Sequence, residues 1–473
     1  MKITKILFSI IAIFLLPAMM VKAQGFKLEI TIEGNEDSIL TIGYHLGDKQ
    51  YIKDTITTDS EGYGIYEGEE MLDQGLYIIL LPDNRYFDII IDDDQFFSIS
   101  CSKDDIVGTM KVDGSEENTS FIQYQRKWIG MQEHSRNLKT RLEQNKSSQD
   151  STAILQEMIT DYEKTMVEFL KETADSKPGS FLSLLVRALI PMEQAEFNIA
   201  PDSHNPDSLR WIMQYNYNVK HFFDNVDLSD SRLIRTPVLY GRLKTYFSRI
   251  LIQHPDTLIR HIPEIVSLTE ADSTMFRYMV VFLFNQFRES QIMGHDGVVV
   301  KIIDDYYLSG KAYWISDETY KSLEEDAERL RPNLIGKKAV NLVMNTYEGI
   351  PRSLYDVKNE YTILYFWEPN CGHCKTTTPK LKELYDNRSA NDFEVFSVCT
   401  QGSKEEWEQY IAEHELNWIN GWDPTRSTHY DFFYNVNATP LIYILDRDKN
   451  IIAKKISVEM IEDFISNYKK TKH

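Results

Sequence analysis

Two cysteines separated by two residues are the feature of this sequence best suited to chemistry. They are Cys371 and Cys374, in the stretch FWEPNCGHCKTTTP at 366–379, and the whole chain has only four cysteines. A pair at this spacing serves as a metal clip, a structural bridge or a reactive dithiol. A scaffold held together by disulfides would use more cysteines and spread them along the chain. Placing two in one turn favours chemistry at that turn.

The segments on either side of the pair predict how it is positioned. The apolar run TILYFW at 362–367 is typical of a buried central strand, and a helical pattern follows the cysteines. The first N–H groups of a helix lack intrahelical partners and its dipole is positive there, so a thiolate is stabilised. Cysteines in this setting have pKa values lowered to about 3.5 to 7.5. We therefore expect Cys371 to attack a substrate disulfide and Cys374 to resolve the mixed disulfide.

Three neighbouring residues are candidates for supporting roles. A cationic or hydrogen-bonding His373 would favour the thiolate, unless its side chain only faces solvent. Gly372 would let the backbone turn tightly beside the sulfur. Glu368, three residues before the first cysteine, is a candidate to accept the proton of the second, with water as the alternative. A surface carboxylate without a role is an equally good interpretation of Glu368.

Taken with these residues, the C-terminal part at 334–473 resembles thioredoxin-fold domains of the TlpA and ResA type, which are thiol–disulfide oxidoreductases of the bacterial envelope. The matching residues are Gly336-Lys337-Lys338-Ala339, Leu354-Tyr355-Asp356, Phe366-Trp367, Cys371-Gly372-His373-Cys374, Pro379 and Thr439-Pro440. The resemblance implies that a cis peptide bond joins Thr439 to Pro440, faces the sulfurs and presents backbone groups to an extended substrate. An X-Pro bond permits the cis form at a cost of about 0.5 to 1 kcal/mol. Trp367 is expected to support the site.

Two positions depart from the pattern of that family. Tyr365 stands where thioredoxins commonly carry a buried acid, and Thr377 stands where relatives of the ResA type have a glutamate. The sequence CGHC is closer to that of disulfide isomerases than to that of strongly reducing thioredoxins. The resemblance therefore implies a reductase or an isomerase and leaves the direction of electron flow open.

The rest of the chain predicts a multi-domain protein. A length of 473 residues suggests about three units. Apolar residues alternate with polar ones at 26–32, and further short runs of this kind predict an N-terminal all-β sandwich at 25–112. Helical periodicity predicts a middle all-α region at 115–330, and RLRPNLIGKK at 329–338 predicts an extended linker. A C-terminal α/β thioredoxin fold with a mixed central sheet is expected at 334–473.

The two N-terminal regions together resemble the extra domains that precede such thioredoxin domains in envelope proteins of anaerobic gut-type bacteria. This resemblance implies an architecture and adds no chemistry.

The first residues have the pattern of a secretory signal. Lys2 and Lys5 precede an apolar run, and small residues end it at Ala23. The sequence therefore predicts a signal peptide at 1–23. Pro17, inside a run of marginal spanning length, weighs against a retained membrane anchor. We expect a protein of the periplasm or cell envelope, without a stable membrane anchor after cleavage.

Charge narrows the classes of partner. The chain has 51 Lys plus Arg against 72 Asp plus Glu, a formal charge of −21, which argues against nucleic acid or an anionic membrane surface. The expected partners are protein or small-thiol disulfides and an envelope electron donor or acceptor. The redox-active disulfide between Cys371 and Cys374 is expected to need no further cofactor.

The sequence also allows three other interpretations of the protein's function. In the first, the chain is a non-catalytic binding or scaffold protein of the envelope whose thioredoxin domain only docks a partner. A zinc site would be built from Cys371, His373, Cys374 and Cys399, but His373 is poorly placed to converge with both neighbouring thiols. A peroxidase of the peroxiredoxin type needs a threonine where Glu368 stands. Cys101 and Cys399 are most simply buried apolar residues.

Overall fold

The structure, a computed structural model, describes residues 25–145, 149–200, 204–388 and 392–471, so the predicted signal peptide lies outside the described residues. The described chain divides into two compact units. One contains the described residues up to Asp227 together with Ser231–Lys244. The other contains Leu228–Asp230 and the described residues from Thr245 onward. The region predicted to be helical at 115–330 is thus divided between the two units.

Strands open the first unit. They are β1 (Phe26–Glu33), β2 (Ile39–Leu46), β3 (Lys49–Thr57), β4 (Tyr63–Gly68), β5 (Gly75–Leu80), β6 (Tyr86–Ile91), β7 (Phe96–Ser102) and β8 (Lys111–Asp113). They form two sheets, ordered β4-β1-β7-β8 and β3-β2-β5-β6. Every second residue of β1 from Phe26 to Ile32 is buried, in one core to which both sheets contribute. The predicted N-terminal sandwich is confirmed.

Helices complete the first unit. They are α1 (Ile106–Thr109), α2 (Glu116–Gln144), α3 (Gln149–Ser176), α4 (Phe181–Leu189), α5 (Pro206–His221) and α6 (Pro237–Thr245). Ser115 caps α2 by accepting a hydrogen bond from the N–H of Asn118. The predicted change from strands to helices after the sandwich is confirmed.

The second unit also begins with helices. They are α7 (Pro255–Ser267), α8 (Ser273–Arg288), α9 (His295–Ile302) and α10 (Asp317–Leu330). Asp272 caps α8 through the N–H groups of Thr274 and Met275. The apolar face of α8 is buried, with Met279 and Leu283 wholly inaccessible to solvent.

The chain directly after α10 is turned and partly buried, which corrects the extended linker predicted at 329–338. A 3₁₀ turn spans Arg331–Asn333, and Asn333 is only 1% exposed. The ammonium of Lys454 donates to the backbone oxygen of Asn333 at 2.7 Å and to its Oδ1 at 3.0 Å, and it also pairs with Asp296. Pro332 follows the end of α10, and the buried Lys454 holds the next residue, Asn333.

A mixed seven-stranded sheet forms the rest of the second unit. Its elements are β9 (Val343–Thr346), β10 (Pro351–Ser353), β11 (Tyr361–Trp367), α11 (Gly372–Asn387), β12 (Phe393–Cys399), α12 (Lys404–Glu413), β13 (Ile419–Trp422), α13 (Tyr430–Phe433), β14 (Leu441–Leu445), β15 (Ile451–Lys454) and α14 (Ile461–Thr471). The strand order is β10-β9-β13-β12-β11-β14-β15, with β11 parallel to β12 and antiparallel to β14. The predicted thioredoxin fold with a mixed central sheet is confirmed.

The central position of β11 explains its apolar sequence. All seven of its residues are buried, and alternate residues enter two separate cores. Tyr365 and Trp367 lie in the core under α11, while Phe366 lies in the core on the other side of the sheet. The buried strand therefore fixes the position of the turn that follows it, at the end of the sheet.

Candidate active site

The turn between β11 and α11 holds both cysteines. Cys371 has extended backbone angles and is the N-cap residue of α11. Its Sγ accepts a hydrogen bond from the N–H of Cys374 at 3.4 Å. The sulfur thus occupies the position that a serine or aspartate oxygen takes at other helix starts. The strand–turn–helix arrangement predicted for the pair is confirmed.

The sulfur of Cys371 has a second partner on another loop. Its thiol donates to the backbone oxygen of Thr439 at 3.4 Å, and the side chain is partly exposed. Burial acts to raise the pKa of Cys371, but hydrogen bonds from the backbone of Cys374 and His373 and from neighbouring groups outweigh it. The pKa therefore lies below its ordinary value, as the helix start predicts.

Cys374 is in the opposite environment. Its side chain is fully buried in the core under α11, and burial raises the pKa of its thiol to about 12. Both cysteines are free thiols, so the pair is in its dithiol form. Two chemically identical groups are thus held with pKa values on opposite sides of the ordinary value. This difference in pKa suits a pair in which an exposed thiol is the nucleophile and a buried thiol reacts after it.

A loop before β14 closes the site. The Thr439–Pro440 peptide bond is cis, as the resemblance implied. The hydroxyl of Thr439 donates to the carboxylate of Glu368, which is half-buried. The structure therefore brings together the cysteine turn, the end of β11 and the loop of Pro440. In this arrangement the carboxylate of Glu368 is hydrogen-bonded to the loop of Pro440.

Two of the supporting residues, His373 and Gly372, have surroundings that bear on their predicted roles. The side chain of His373 is exposed, and the contribution seen at the sulfur of Cys371 is that of its backbone amide. Gly372 is the first residue of α11, and a Cβ atom placed there would meet no heavy atom within 4 Å. Neither the backbone angles nor the surroundings of Gly372 therefore require a glycine at this turn.

Beneath the cysteines, a tyrosine occupies the place of the family's buried acid. The hydroxyl groups of Tyr365 and Thr378 lie 2.8 Å apart in a hydrogen bond. Burial raises the pKa of Tyr365 far above its ordinary value, so this hydroxyl stays neutral. Sequence reasoning did not identify Thr378. Its spacing of four residues from Cys374, on the same helix face, was the available signal.

Trp367 is wholly buried at the end of β11. Its ring stacks parallel to that of Tyr365 with centroids 6.4 Å apart, and it tilts against Tyr410 at 5.0 Å. Aromatic packing of this kind fixes the strand end from which the cysteine turn starts.

The two other cysteines are buried away from solvent. Burial raises the pKa of Cys399 to about 12 and that of Cys101 to about 11. Cys399 donates its thiol hydrogen to the backbone oxygen of Gln401 at 3.2 Å. Across the part of the chain that the structure describes, no group of three or more His, Cys, Asp or Glu side chains is arranged to hold a metal ion.

We expect iodoacetamide to alkylate Cys371 before any other cysteine, because the thiolate is the reacting form. The pKa of Cys371 is lowered, whereas burial raises those of Cys374, Cys399 and Cys101. The rate should rise as pH increases through the pKa of Cys371 and level off above it. Mass spectrometry of peptides after brief labelling at several pH values measures this order. Equal labelling of Cys374 would contradict it.

Comparison with known proteins identifies the domain that holds the pair. Residues 335–454 match the AhpC/TSA family. A thioredoxin-like protein of Haemophilus influenzae is 27% identical over 122 residues, which is 25% of this chain and 70% of that protein. Nucleoredoxin of Xenopus laevis is 27% identical over 109 residues, which is 23% of this chain but only 26% of that protein.

One solved structure is more similar in sequence. It is a domain of a "possible thiol-disulfide isomerase" from Cytophaga hutchinsonii and is 40% identical to this chain. The match covers 29% of this chain and 95% of that one, with a TM-score of 0.28.

Among the residues that the structure describes, no helix is long and apolar enough to span a bilayer.

Proposed function

We propose, from the premise that residues 335–454 form a thioredoxin-like domain of the AhpC/TSA family, that this protein is a thiol–disulfide oxidoreductase. The observation that carries the proposal is the sulfur of Cys371, partly exposed at the start of α11 and hydrogen-bonded beside Pro440. Its substrates are disulfides of envelope proteins or of small thiols. The reaction is reduction or isomerisation, in the manner of the TlpA and ResA type.

The first step uses Cys371 as the nucleophile. Its thiolate attacks one sulfur of the substrate disulfide, forms a mixed disulfide and releases the other substrate sulfur as a thiolate, which takes a proton from solvent. The backbone N–H of Cys374, which hydrogen-bonds Sγ of Cys371 in the dithiol, favours the anion before attack. Thr439 and Pro440 lie beside the sulfur, where an extended substrate chain would bind.

The second step uses Cys374. Its thiol loses a proton, its sulfur attacks Sγ of Cys371, and the remaining substrate sulfur leaves as a thiolate. Two electrons have then passed from the dithiol to the substrate, and an external dithiol donor must reduce the new Cys371–Cys374 disulfide. Glu368 or water accepts the proton of Cys374. The pair itself is the redox group, and the chemistry requires no other cofactor.

The cellular setting is part of the proposal. The predicted signal peptide at 1–23 would send the chain to the periplasm, where disulfide substrates are found. An envelope electron donor or acceptor would then be the second partner.

Cys374→Ser is expected to accumulate a mixed disulfide between Cys371 and the substrate. A serine cannot carry out the second step, so the first intermediate persists. Incubation with insulin, followed by non-reducing electrophoresis and mass spectrometry, measures the adduct. In the matched control, Cys371→Ser combined with Cys374→Ser, no adduct should form. Absence of an adduct with Cys374→Ser alone would overturn the proposal.

A further inference from the structure

A cavity begins at the cis proline. It has a volume of about 460 Å³ and is lined by Pro440, Leu441 and Thr377 on the side of the cysteines. Thr439, whose backbone oxygen accepts the thiol hydrogen of Cys371, directly precedes Pro440. A substrate chain bound at Cys371 would therefore have its flanking residues at the mouth of this cavity.

A second cavity adjoins the first. Its volume is about 470 Å³, and the two share Asn435, Asn437 and Lys455 as lining residues. The far wall comes from α8, α9 and α10, which precede the thioredoxin fold in sequence, and it includes Arg288 and Arg329. The helices of the second unit thus build part of the surface that leads away from the cysteines.

The ammonium of Lys455, which lies where the two cavities meet, has no ion-pair partner among the described residues. Its side chain is exposed, and no carboxylate of the described residues lies within 4.0 Å of its ammonium. Other charged groups nearby are paired: Lys380 with Glu459 at 2.6 Å, Arg288 with Asp326 at 3.8 Å, and Asp296 with Lys454. On the far wall, Arg329 and Glu325 contribute opposite charges. Among the described residues, Lys455 is thus an unpaired cation between the two cavities, and Arg329, whose guanidinium lies over the ring of Phe432, is another on the far wall.

The backbone holds Lys455 in place. Its φ of 55° bends the chain at the end of β15, and its N–H donates to the backbone oxygen of Ile442 at 2.9 Å. The preceding residue, Lys454, is fixed by its buried contacts with Asp296 and Asn333. The ammonium of Lys455 therefore projects from an anchored base, so that a bound carboxylate would not need to order the backbone around it.

We propose that the paired cavities bind the substrate chain next to its reactive cysteine and that Lys455 selects substrates with an aspartate or glutamate there. The inference rests on the proposed function and adds a substrate class to it. An ion pair at a partly exposed site favours its ligand by about two- to fivefold. A substrate with a lysine or arginine beside its cysteine would be repelled. A substrate with a neutral residue there would be favoured to an intermediate degree.

Disulfide peptides that differ in one flanking residue test the proposal. Each carries a reporter thiol linked to its only cysteine, and Glu, Gln or Lys is placed in turn at the three positions before and after that cysteine. The second-order rate of the reduced protein is measured with each peptide. At one or more positions the Glu peptide should react about two- to fivefold faster than the Gln peptide. Raising the salt from about 0.01 M to about 1 M should remove the difference, because the Debye length falls from about 30 Å to about 3 Å.

Variants of Lys455 attribute the preference to that residue. Lys455→Gln should bring the Glu/Gln rate ratio close to unity, and Lys455→Glu should make the Lys peptide faster than the Glu peptide. Lys470→Gln, the same change at an exposed lysine that lines neither cavity, should keep the ratio of the unsubstituted protein.

The outcomes separate the two proposals. If no peptide reacts, the proposed function fails. If all peptides react with equal rates, or if the preference survives in Lys455→Gln, the function stands and the role of Lys455 is overturned.

Discussion

Cys371→Ser is expected to abolish the reduction of insulin disulfides. A serine hydroxyl is not ionised near neutral pH and forms no mixed disulfide, so the first step is lost. Cys374 cannot replace it, because its thiol is fully buried and burial raises its pKa to about 12. The rate of insulin precipitation with dithiothreitol as the reductant measures the loss. With Cys371→Ser this rate should fall to the rate seen without protein.

Cys101→Ser is the matched control for this loss. It makes the same change of atom at a buried cysteine of β7, in the other compact unit. Turnover by Cys101→Ser should equal that of the unsubstituted protein, and circular dichroism of both variants verifies that they are folded. Full activity of Cys371→Ser would exclude Cys371 as the nucleophile, whereas an unsubstituted protein without activity would favour a binding or scaffold role for the domain.

The cysteine turn was predictable from sequence because its determinants are local. A buried strand, an N-cap position and a helix start all fall within 361–387, and backbone geometry alone then places the sulfur of Cys371 at the helix amides. The cis bond before Pro440 came from the family resemblance. Spacing within the chain gives no reason why that loop should face the cysteines.

Contacts between distant segments were not predictable in the same way. Glu368 and Thr439 are 71 residues apart, and their hydrogen bond depends on how β11 and β14 pair. Lys455 becomes a candidate for substrate binding only when the loop of Asn437 and the helices before the thioredoxin fold line the cavities beside it. Periodicity finds buried faces, but it does not tell which exposed charge lacks a partner.

The linker prediction was wrong for a similar reason. Proline and glycine at 329–338 correctly indicated the end of a helix. The same residues gave no sign that Asn333 would be buried against Lys454, which lies 121 residues later. From sequence, a lysine in the strand IIAKK is expected at the surface, since lysine is seldom fully buried unless it is paired. Its partner, Asp296, lies on a helix far away in sequence.

Asp296→Asn is expected to lower the free energy of unfolding of the second unit by about 3 to 5 kcal/mol. Lys454 is 3% exposed, and its three donors are matched by Asp296 and by two oxygens of Asn333. Burial already lowers the pKa of Lys454, and the carboxylate of Asp296 opposes that effect. Without the carboxylate, a buried ammonium has no counter-charge. Urea unfolding followed by tryptophan fluorescence measures the loss.

Two further variants show whether the buried charge is the cause. Asp305→Asn breaks the exposed pair of Lys301 and Asp305, which are 2.8 Å apart, and should cost less than about 1 kcal/mol because water solvates both partners. Asp296→Leu combined with Lys454→Met should recover part of the stability, since an apolar pair needs no counter-charge but two buried oxygens of Asn333 lose their donor. If Asp296→Asn cost no more than Asp305→Asn, the pair would contribute little. The attachment of the helices to the thioredoxin fold would then depend on apolar packing and on the remaining hydrogen bonds, such as the one from the Asn333 amide to the backbone oxygen of Phe433 at 3.2 Å.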